Sequence, residues 1–330
     1  MLPPSPTRAL VLSLALVAQA AAGPPASSKR GLVFTPNSSN PQDNYIWASQ
    51  PSDLSWYYNY QEIPSPAFDN VSQSAFEFVP MMWGKPGDVS DTAFFKTVRQ
   101  LVQDKGVNIT HALSFNEPDG PAAYGGSDID PAVAAQIWVN NFEPLRKLGI
   151  RVGLPACTGA PAGLTWLKGF LKSCSEIVSD GGPTKNCTYD FVPLHWYGNF
   201  EGLASHMGEY AAAFPNKTMW LTEYNLDHQD LASTQYFYNT SAEYMDRLPL
   251  VERYSLFGAF RSDVSNVGPN AAMLSAGGEL TDIGAWYLGR PATGVHPTTG
   301  GGSARGVSGC QATAALVGTL FATVAALLSF

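Results

Sequence analysis

Charged residues are scarce in this 330-residue sequence, where Asp, Glu, Lys and Arg together make up 14%. Acidic residues outnumber basic ones, and the formal net charge is −8. This balance argues against nucleic acid or another polyanion as a partner, because such ligands require basic patches. The four cysteines include no Cys-x-x-Cys pair and no His/Cys cluster, so neither a metal site nor a cofactor is expected.

The N-terminal residues have the pattern of a secretory signal peptide. Arg8 precedes an apolar stretch at residues 9–18, and small residues at 20–22 offer a cleavage site. The alternative, a transmembrane helix, is disfavoured because the run is too short to span a bilayer. We therefore expect a signal peptide at residues 1–22. A short propeptide-like segment would follow at 23–30 and end at the basic pair Lys29 and Arg30.

The C-terminal residues have the pattern of a lipid-anchor signal. A Gly/Ser/Thr-rich stalk at 291–303 precedes a short spacer and an apolar run at 312–330. Small residues, a spacer and a terminal apolar tail are typical of a GPI-anchor signal, here residues 304–330, which is removed. The rival reading is a tail-anchored helix, which usually has basic residues after the span. Together the two ends predict a secreted protein at the cell surface or in the cell wall, attached to the membrane only through lipid.

Glycosylation and cysteine patterns agree with an oxidising compartment. Six Asn-x-Ser/Thr sequons predict surface N-glycosylation at Asn37, Asn70, Asn108, Asn186, Asn216 and Asn239. Cys310 lies in the anchor signal, so three cysteines remain, and they permit three different single pairings. We expect a disulfide between Cys174 and Cys187, which flank a loop with Gly and Pro, and a lone thiol at Cys157.

The order of elements predicts one α/β domain at residues 31–290. Apolar runs predict strands at 31–35, 56–60, 76–82, 111–116, 151–156, 191–197, 219–224 and 253–260. Helical patterns occur at 91–105, 131–149, 164–174, 202–214, 231–247 and 280–288. Eight strands alternating with helices favour a (β/α)8 TIM barrel over a doubly wound sheet, because no Gly-rich phosphate turn follows the first strand.

Two glutamates end predicted strands four and seven. Glu117 lies in Ser-Phe-Asn-Glu-Pro-Asp, and Glu223 lies in Trp-Leu-Thr-Glu-Tyr-Asn. Functional groups of a TIM barrel lie at the C-terminal ends of its strands. Alternation along strand seven would place Leu221 and Glu223 on the interior side. A pair of carboxylates there is the arrangement that cleaves glycosidic bonds. A turn residue and a structural salt bridge are the alternatives for Glu117 and Glu223 respectively.

Polar and aromatic residues near these strand ends are candidates for sugar binding. His195 and Tyr197 alternate to the same side of strand six, although a lone His is often a core residue. A phenol, from Tyr224 or elsewhere, is expected to keep Glu223 ionised. Aromatic rings stack on the apolar faces of sugars, and Trp83 at the end of strand three is the best platform. The candidate substrate-binding residues are Asn59, Trp83, Asn116, His195, Tyr197 and Tyr224.

On the two glutamate motifs, the chain resembles glycoside hydrolase family 128, the alkali-sensitive linkage protein-like fungal β-1,3-glucanases. The Trp-Tyr-Tyr-Asn-Tyr, Met-Trp-Gly and His-Trp-Tyr-Gly segments are similar to that family as well. The resemblance implies an endo-β-1,3-glucanase-like retaining glycosidase with Glu117 as acid/base and Glu223 as nucleophile. It also implies that Asn116, His195 and Tyr197 help to hold the sugar. The family often has Trp where this chain has Tyr60.

We expect a monomer that acts on β-1,3-glucan polysaccharide or oligosaccharide. Transglycosylation at the same site is an alternative that shares the chemistry of hydrolysis. A wall-bound glucan-binding protein without turnover is the alternative from a different functional class.

Overall fold

The computed structural model describes residues 26–298. The signal peptide expected at 1–22 and the anchor signal expected at 304–330 therefore lie outside the described residues. The strands are β1 Gly31–Val33, β2 Trp56–Tyr58, β3 Glu77–Phe78, β4 His111–Ala112, β5 Arg151–Val152, β6 Phe191–Tyr197, β7 Thr218–Asn225 and β8 Val251–Leu256. The helices are α1 Ala93–Gln103, α2 Pro131–Lys147, α3 Ala162–Ser179, α4 Phe200–Ala213, α5 Leu231–Arg247 and α6 Asp282–Tyr287.

The eight strands form three short parallel sheets, ordered β1-β2-β3, β4-β5 and β6-β7-β8. Isolated parallel bridges link one sheet to the next, at Met81 with Leu113, at Gly153 with Phe191 and Cys157 with Leu194, and at Arg30 with Tyr254. The continuous barrel ladder predicted from the count of eight is therefore interrupted. Proline contributes to the interruption, because a proline such as the one at position 80, after β3, has no N–H to donate.

Two hydrophobic cores lie on opposite sides of the strands. The inner core consists of Val33, Trp56, Tyr58, Val79, Met81, Leu113, Phe191 and Trp220. The outer core fills the space between strands and helices and includes Leu32, Tyr57, Leu221 and Tyr224. Neighbouring residues of β1, β2 and β7 thus alternate between the two cores, as the side chains of a strand do.

Strand β7 departs from this alternation just before Glu223. Leu221 belongs to the outer core and Trp220 to the inner one, so the prediction that Leu221 faces the interior was wrong. Leu194 of β6 is opposite Leu221, but the next residue, His195, is opposite Glu223. Thr222 is therefore an extra residue, and this bulge turns Glu223 toward the interior. Bulges re-aim side chains in this way beside active sites.

The basic pair at the expected end of the propeptide is part of the fold. The Arg30 side chain is fully buried and pairs with Asp53 (2.9 Å) and Asp246 (3.7 Å). The Lys29 ammonium donates to the carbonyls of residues 245, 246 and 248 at the C-terminal end of α5, where a cation is favourable. These contacts of Lys29 and Arg30 hold the start of the first strand against α5.

The described part of the expected stalk packs against the domain. Pro297 is buried, and its carbonyl accepts hydrogen bonds from the Ala276 N–H (3.0 Å) and the Ser262 hydroxyl. The Pro297 carbonyl therefore ties the described end of this segment to Ser262 and Ala276, which follow β8.

The cysteines and most sequons lie where the expectations require. Cys174 and Cys187 form a disulfide with Cα atoms 5.4 Å apart, and Cys157 is a buried free thiol. Asn70, Asn108, Asn186 and Asn216 are exposed. Asn37 and Asn239 are only partly exposed, and the latter lies within α5 with its side-chain oxygen buried. Within residues 26–298, no helix has the length and apolar character needed to cross a membrane.

Candidate active site

Glu117 leaves the end of β4 in a strained backbone conformation. Its φ of 41° lies in the left-handed region, which costs a residue with a side chain about 1–2 kcal/mol. Backbone hydrogen bonds hold it there: its N–H donates to Ala156 (2.7 Å), and its carbonyl accepts from Gly120 (2.9 Å). Two residues on, Asp119 accepts bonds from the N–H (2.9 Å) and hydroxyl (2.6 Å) of Thr158. The loop that carries Glu117 is thereby fixed to the end of β5.

Glu223 is held by two phenols at the end of β7. The Tyr60 hydroxyl donates to Oε1 at 2.7 Å, and the Tyr197 hydroxyl donates to Oε2 at 2.8 Å. Glu223 itself is only 6% exposed. Hydrogen bonds to the charged form stabilise a buried carboxylate that would otherwise be costly to desolvate.

His195 lies between the two glutamates. Its Nδ1 is 2.9 Å from Oε1 of Glu117 and 3.6 Å from Oε2 of Glu223. Nδ1 and one carboxylate oxygen from each glutamate all lie within 4.8 Å of one another. The structure thus brings Glu117, His195, Tyr197 and Glu223 together at the C-terminal ends of β4, β6 and β7.

The charges of this group are coupled. Burial lowers the pKa of His195, but the carboxylates of Glu223 and Glu117 outweigh it, and the net shift is upward. Burial and the charge of Glu117 raise the pKa of Glu223, although the His195 cation and the phenols of Tyr60 and Tyr197 act in the opposite direction. A protonated imidazole is therefore favoured between the two carboxylates.

Two carboxylates and an imidazole within 4.8 Å are also a donor set that could hold a cation. The hydrogen-bond geometry favours a proton instead. Each oxygen of Glu223 already accepts a phenol hydrogen, and the 2.9 Å contact from His195 to Glu117 is a hydrogen-bond length. Two phenols thus satisfy the oxygens of Glu223, and Nδ1 of His195 is paired with Glu117, while Nε2 of His195 is buried without a partner among the described residues.

The other predicted sugar-binding residues divide into two groups. Asn116 is next to Glu117, and its amide donates to the Gly125 carbonyl at 3.2 Å, while its oxygen is buried without a partner among the described residues. Trp83 is partly exposed, and its carbonyl accepts from the Asn116 N–H at 2.9 Å, so it lies beside the site. Its ring belongs to neither hydrophobic core.

Asn59 and Tyr224 are not positioned as predicted. The amide of Asn59 donates to Ile63, and its oxygen accepts from Gln61, so both polar atoms stabilise the next loop. Tyr224 is fully buried in the outer core, and its hydroxyl has no hydrogen-bond partner among the described residues. It points away from the site because it follows Glu223 directly and strand neighbours point to opposite faces.

Tyr60 is the functional residue that sequence reasoning missed. The sequence pattern that could have indicated Tyr60 is the alternation of Trp56, Tyr58 and Tyr60, which runs along β2 and two residues beyond it. The first two belong to the inner core, so a residue of the same phase is directed to the same side. Tyr60 supplies the phenol contact that had been sought from Tyr224.

Known proteins resemble the chain in both sequence and structure. The alkali-sensitive linkage protein 1 of Schizosaccharomyces pombe is 29% identical over 272 residues, which cover 79% of this chain and 44% of that protein. The chain thus spans less than half the length of this curated relative.

Two solved structures from glycoside hydrolase family 128 are similar to the chain along almost their whole length. A curdlan-specific exo-β-1,3-glucanase from Blastomyces gilchristii, in complex with glucose, is 26% identical with a TM-score of 0.60, covering 80% of this chain and 99% of that one. An endo-β-1,3-glucanase from Sorangium cellulosum is 25% identical with a TM-score of 0.61 and the same two coverages.

The model of one protein family matches most of the described residues. That family is described as the glycosyl hydrolase catalytic core, and the match covers residues 31–287. It includes both glutamates and every strand. The chain therefore belongs to the glycosyl hydrolase catalytic core family.

Proposed function

We propose that this protein hydrolyses β-1,3-glucan with retention of anomeric configuration, using Glu117 as acid/base and Glu223 as nucleophile. One observation carries the proposal: a carboxylate oxygen of Glu117 lies within 4.8 Å of one of Glu223. Retaining glycosidases place their carboxyl groups about 5–5.5 Å apart, whereas inverting enzymes need about 6.5–9.5 Å to admit a water molecule. The observed spacing favours direct attack by a carboxylate.

The surroundings of the two glutamates favour this division of roles. Glu223 accepts hydrogen bonds from Tyr60 and Tyr197, which stabilise its charged form as a nucleophile requires. Glu117 is the more exposed side chain, at 15% against 8%, and it is better placed to exchange a proton with a leaving group and with water. His195 lies between the two glutamates, so the protonation states of these three side chains depend on one another.

The reaction then proceeds in two displacements. In the first, an oxygen of Glu223 bonds to the anomeric carbon as the glycosidic C–O bond breaks, and Glu117 gives its proton to the departing oxygen. In the second, a water oxygen bonds to that carbon while the ester C–O bond breaks. The electron pair returns to Glu223 and the water's proton goes to Glu117.

β-1,3-Glucan is the proposed substrate because two similar enzymes act on it, one described as an exo- and the other as an endo-β-1,3-glucanase. Trp83 beside the site supplies a ring on which a sugar stacks. Mapping the products from long glucans distinguishes endo-type cleavage from exo-type release of glucose.

We also propose that the eight strands act as one (β/α)8 barrel. The parallel bridges that link the three sheets, and the separation of an inner core from an outer one, support this arrangement. The glutamates lie at the C-terminal ends of strands four and seven, where barrels have their active sites.

Secretion with a lipid anchor, as a monomer at the cell surface or in the wall, is part of the proposal. The disulfide between Cys174 and Cys187 and the four exposed sequons support an oxidising, glycosylating compartment. Release of the protein from intact cells by a phosphatidylinositol-specific phospholipase tests the anchor. A protein that stays with the cells after this treatment contradicts it.

The central experiment compares Glu117→Gln and Glu223→Gln with the wild type on a linear β-1,3-glucan. Each variant should hydrolyse the glucan at least about a thousandfold more slowly than the wild type. NMR of the first product released by the wild type should show the β-anomer. An α-anomer as first product overturns retention, and unchanged rates overturn the assigned residues.

The same incubations separate the two alternatives. Products longer than a defined starting oligosaccharide indicate transglycosylation by the same covalent intermediate. Glucan binding in calorimetry without release of reducing ends indicates a binding protein without turnover.

A further inference from the structure

We propose that Tyr60 is a positioning residue for Glu223 that accelerates the breakdown of the glycosyl ester rather than its formation. The inference rests on the proposed double displacement. It concerns a side chain at the end of β2, far in sequence from either glutamate.

Glu223 accepts a hydrogen bond from one phenol on each of its carboxylate oxygens. Tyr197 reaches Oε2 from β6 on one side, and Tyr60 reaches Oε1 from beyond β2 on the other, at 2.8 and 2.7 Å. Whichever oxygen attacks the sugar, both phenols therefore contact the group that gains or loses charge during the reaction.

The position of Tyr60 is built into the fold. Its φ of 62° lies in the left-handed region, so the backbone is strained to direct this side chain. The ring packs edge-on against Tyr58, with centroids 5.1 Å apart. The Tyr58 hydroxyl in turn donates to the carbonyl of Thr222 at 2.9 Å. Since Thr222 is the bulged residue before Glu223, the same contacts locate both the phenol and the carboxylate.

Charge changes in opposite directions in the two displacements. During ester formation, the Glu223 carboxylate loses negative charge, so a donor to it stabilises the ground state more than the transition state. During ester breakdown, the C–O bond between the anomeric carbon and Glu223 breaks, and its electron pair returns to the carboxylate as water adds. A donor then stabilises the transition state more than the neutral ester.

Tyr60→Phe removes the hydroxyl and keeps the ring. With a dinitrophenyl β-1,3-oligoglucoside, whose leaving group departs easily, we expect kcat to fall about tenfold or more. Because formation of the ester does not need the donor, kcat/KM should stay within about threefold, so KM falls along with kcat. A larger burst of dinitrophenol and a glycosylated protein in the mass spectrum after acid quenching should accompany this change.

Tyr238→Phe is the matched control. Its hydroxyl is buried on α5 without a hydrogen-bond partner among the described residues, so its loss should leave both constants unchanged. Urea unfolding midpoints for both variants check that neither has lost its structure.

If kcat and kcat/KM fall equally in Tyr60→Phe, the phenol supports both displacements alike and the inference is overturned. Unchanged values of both constants would overturn it as well. These outcomes differ from failure of the proposed function, in which the wild type itself neither turns over the substrate nor forms the adduct.

Discussion

Nδ1 of His195 donates a hydrogen bond to Oε1 of Glu117 across 2.9 Å, joining the ends of β4 and β6. The same nitrogen lies 3.6 Å from Oε2 of Glu223, which is beyond hydrogen-bond length, so the imidazole faces the proposed nucleophile while it is bonded to the proposed acid/base. The pKa of the imidazole is raised, although burial alone would lower it, because both carboxylates face it. A cation at this position offsets negative charge on the two glutamates and so allows them to lie close together.

As the pH is lowered, the activity of the wild type should begin to fall at a higher pH than it would if the nucleophile had the pKa of an ordinary glutamate. Burial and Glu117 raise the pKa of Glu223, and a protonated nucleophile is inactive. Activity is therefore present above this raised pKa and is lost as the pH falls through it. The acid limb of kcat/KM should lie above the ordinary glutamate pKa of about 4.3. A limb at or below that value contradicts the assignment of Glu223 as a buried nucleophile.

His195→Asn should move the acid limb further toward neutral pH. The His195 cation lowers the pKa of Glu223, so its removal raises that pKa. We expect the acid limb to shift to higher pH, with a loss of roughly tenfold to a hundredfold in kcat/KM at neutral pH. The control is His228→Asn, because the His228 side chain is 65% exposed and pairs with Asp227. An acid limb that stays in place in the His195 variant would show that the imidazole does not control the nucleophile.

A second charged cluster, at the N-terminal ends of the strands, predicts loss of stability in acid. Although burial opposes the shift, bonds from His111 and Arg253 lower the pKa of Glu77 from 4.5 to about 2. Glu252 also reaches about 2, mainly through its bond to Arg151, against the effect of burial. These carboxylates stabilise the fold above their unfolded pKa, and the contribution is lost as the pH falls toward 2. Urea midpoints should therefore decline between about pH 4.5 and 2.

Glu77→Gln tests this cluster at neutral pH. Arg253, which contacts Glu77 at 2.5 Å and lies over the Trp220 ring, would lose its anionic partner. We expect a loss of roughly 2–3 kcal/mol in the free energy of unfolding and a weaker dependence of stability on acid. Glu176→Gln, at a side chain that is 66% exposed, should change neither quantity. A Glu77 variant with the stability of the wild type would show that the cluster is not stabilising.

Arg30 should be essential to stability and inaccessible to proteases. Arg30→Met leaves Asp53 and Asp246, both mostly buried, without the guanidinium, and we expect a loss of about 3–5 kcal/mol. Lys172→Met, at a side chain 78% exposed, is the control and should cost little. Trypsin should not cut the folded wild type after Arg30. Rapid cleavage after Arg30 with full activity retained would show that Lys29 and Arg30 form a processing site and are not needed to hold the first strand.

Local sequence signals located much of the fold. Strand β6 and helix α5 have the predicted bounds, Phe191–Tyr197 and Leu231–Arg247, because apolar period and capping residues are local properties. Asp130 caps α2 through bonds to the next N–H groups, as Asp followed by Pro predicts. Strands β3, β4 and β5 are shorter than their apolar runs, since hydrogen-bonded pairing depends on a partner strand and not on hydrophobicity.

The alternation rule failed where the extra residue of a bulge changed the phase. It placed Leu221 beside Glu223, although Thr222 shifts the register between them. Whether a strand bulges depends on its neighbours, here Tyr58 and Ser255, whose hydroxyls both donate to the Thr222 carbonyl. No pattern within strand seven carries that information.

The sequence by itself determined the two glutamate motifs, their strands and the cysteines available for pairing, since these follow from residue type and local spacing. Only the tertiary structure decided which phenols bind Glu223, that His195 lies between the glutamates, and that Arg30 is buried. The physical reason is that these contacts join residues far apart in the chain, by 163 positions for Tyr60 and Glu223 and by 224 for Arg30 and Tyr254. Their distances are set by packing and register, which are properties of the whole fold.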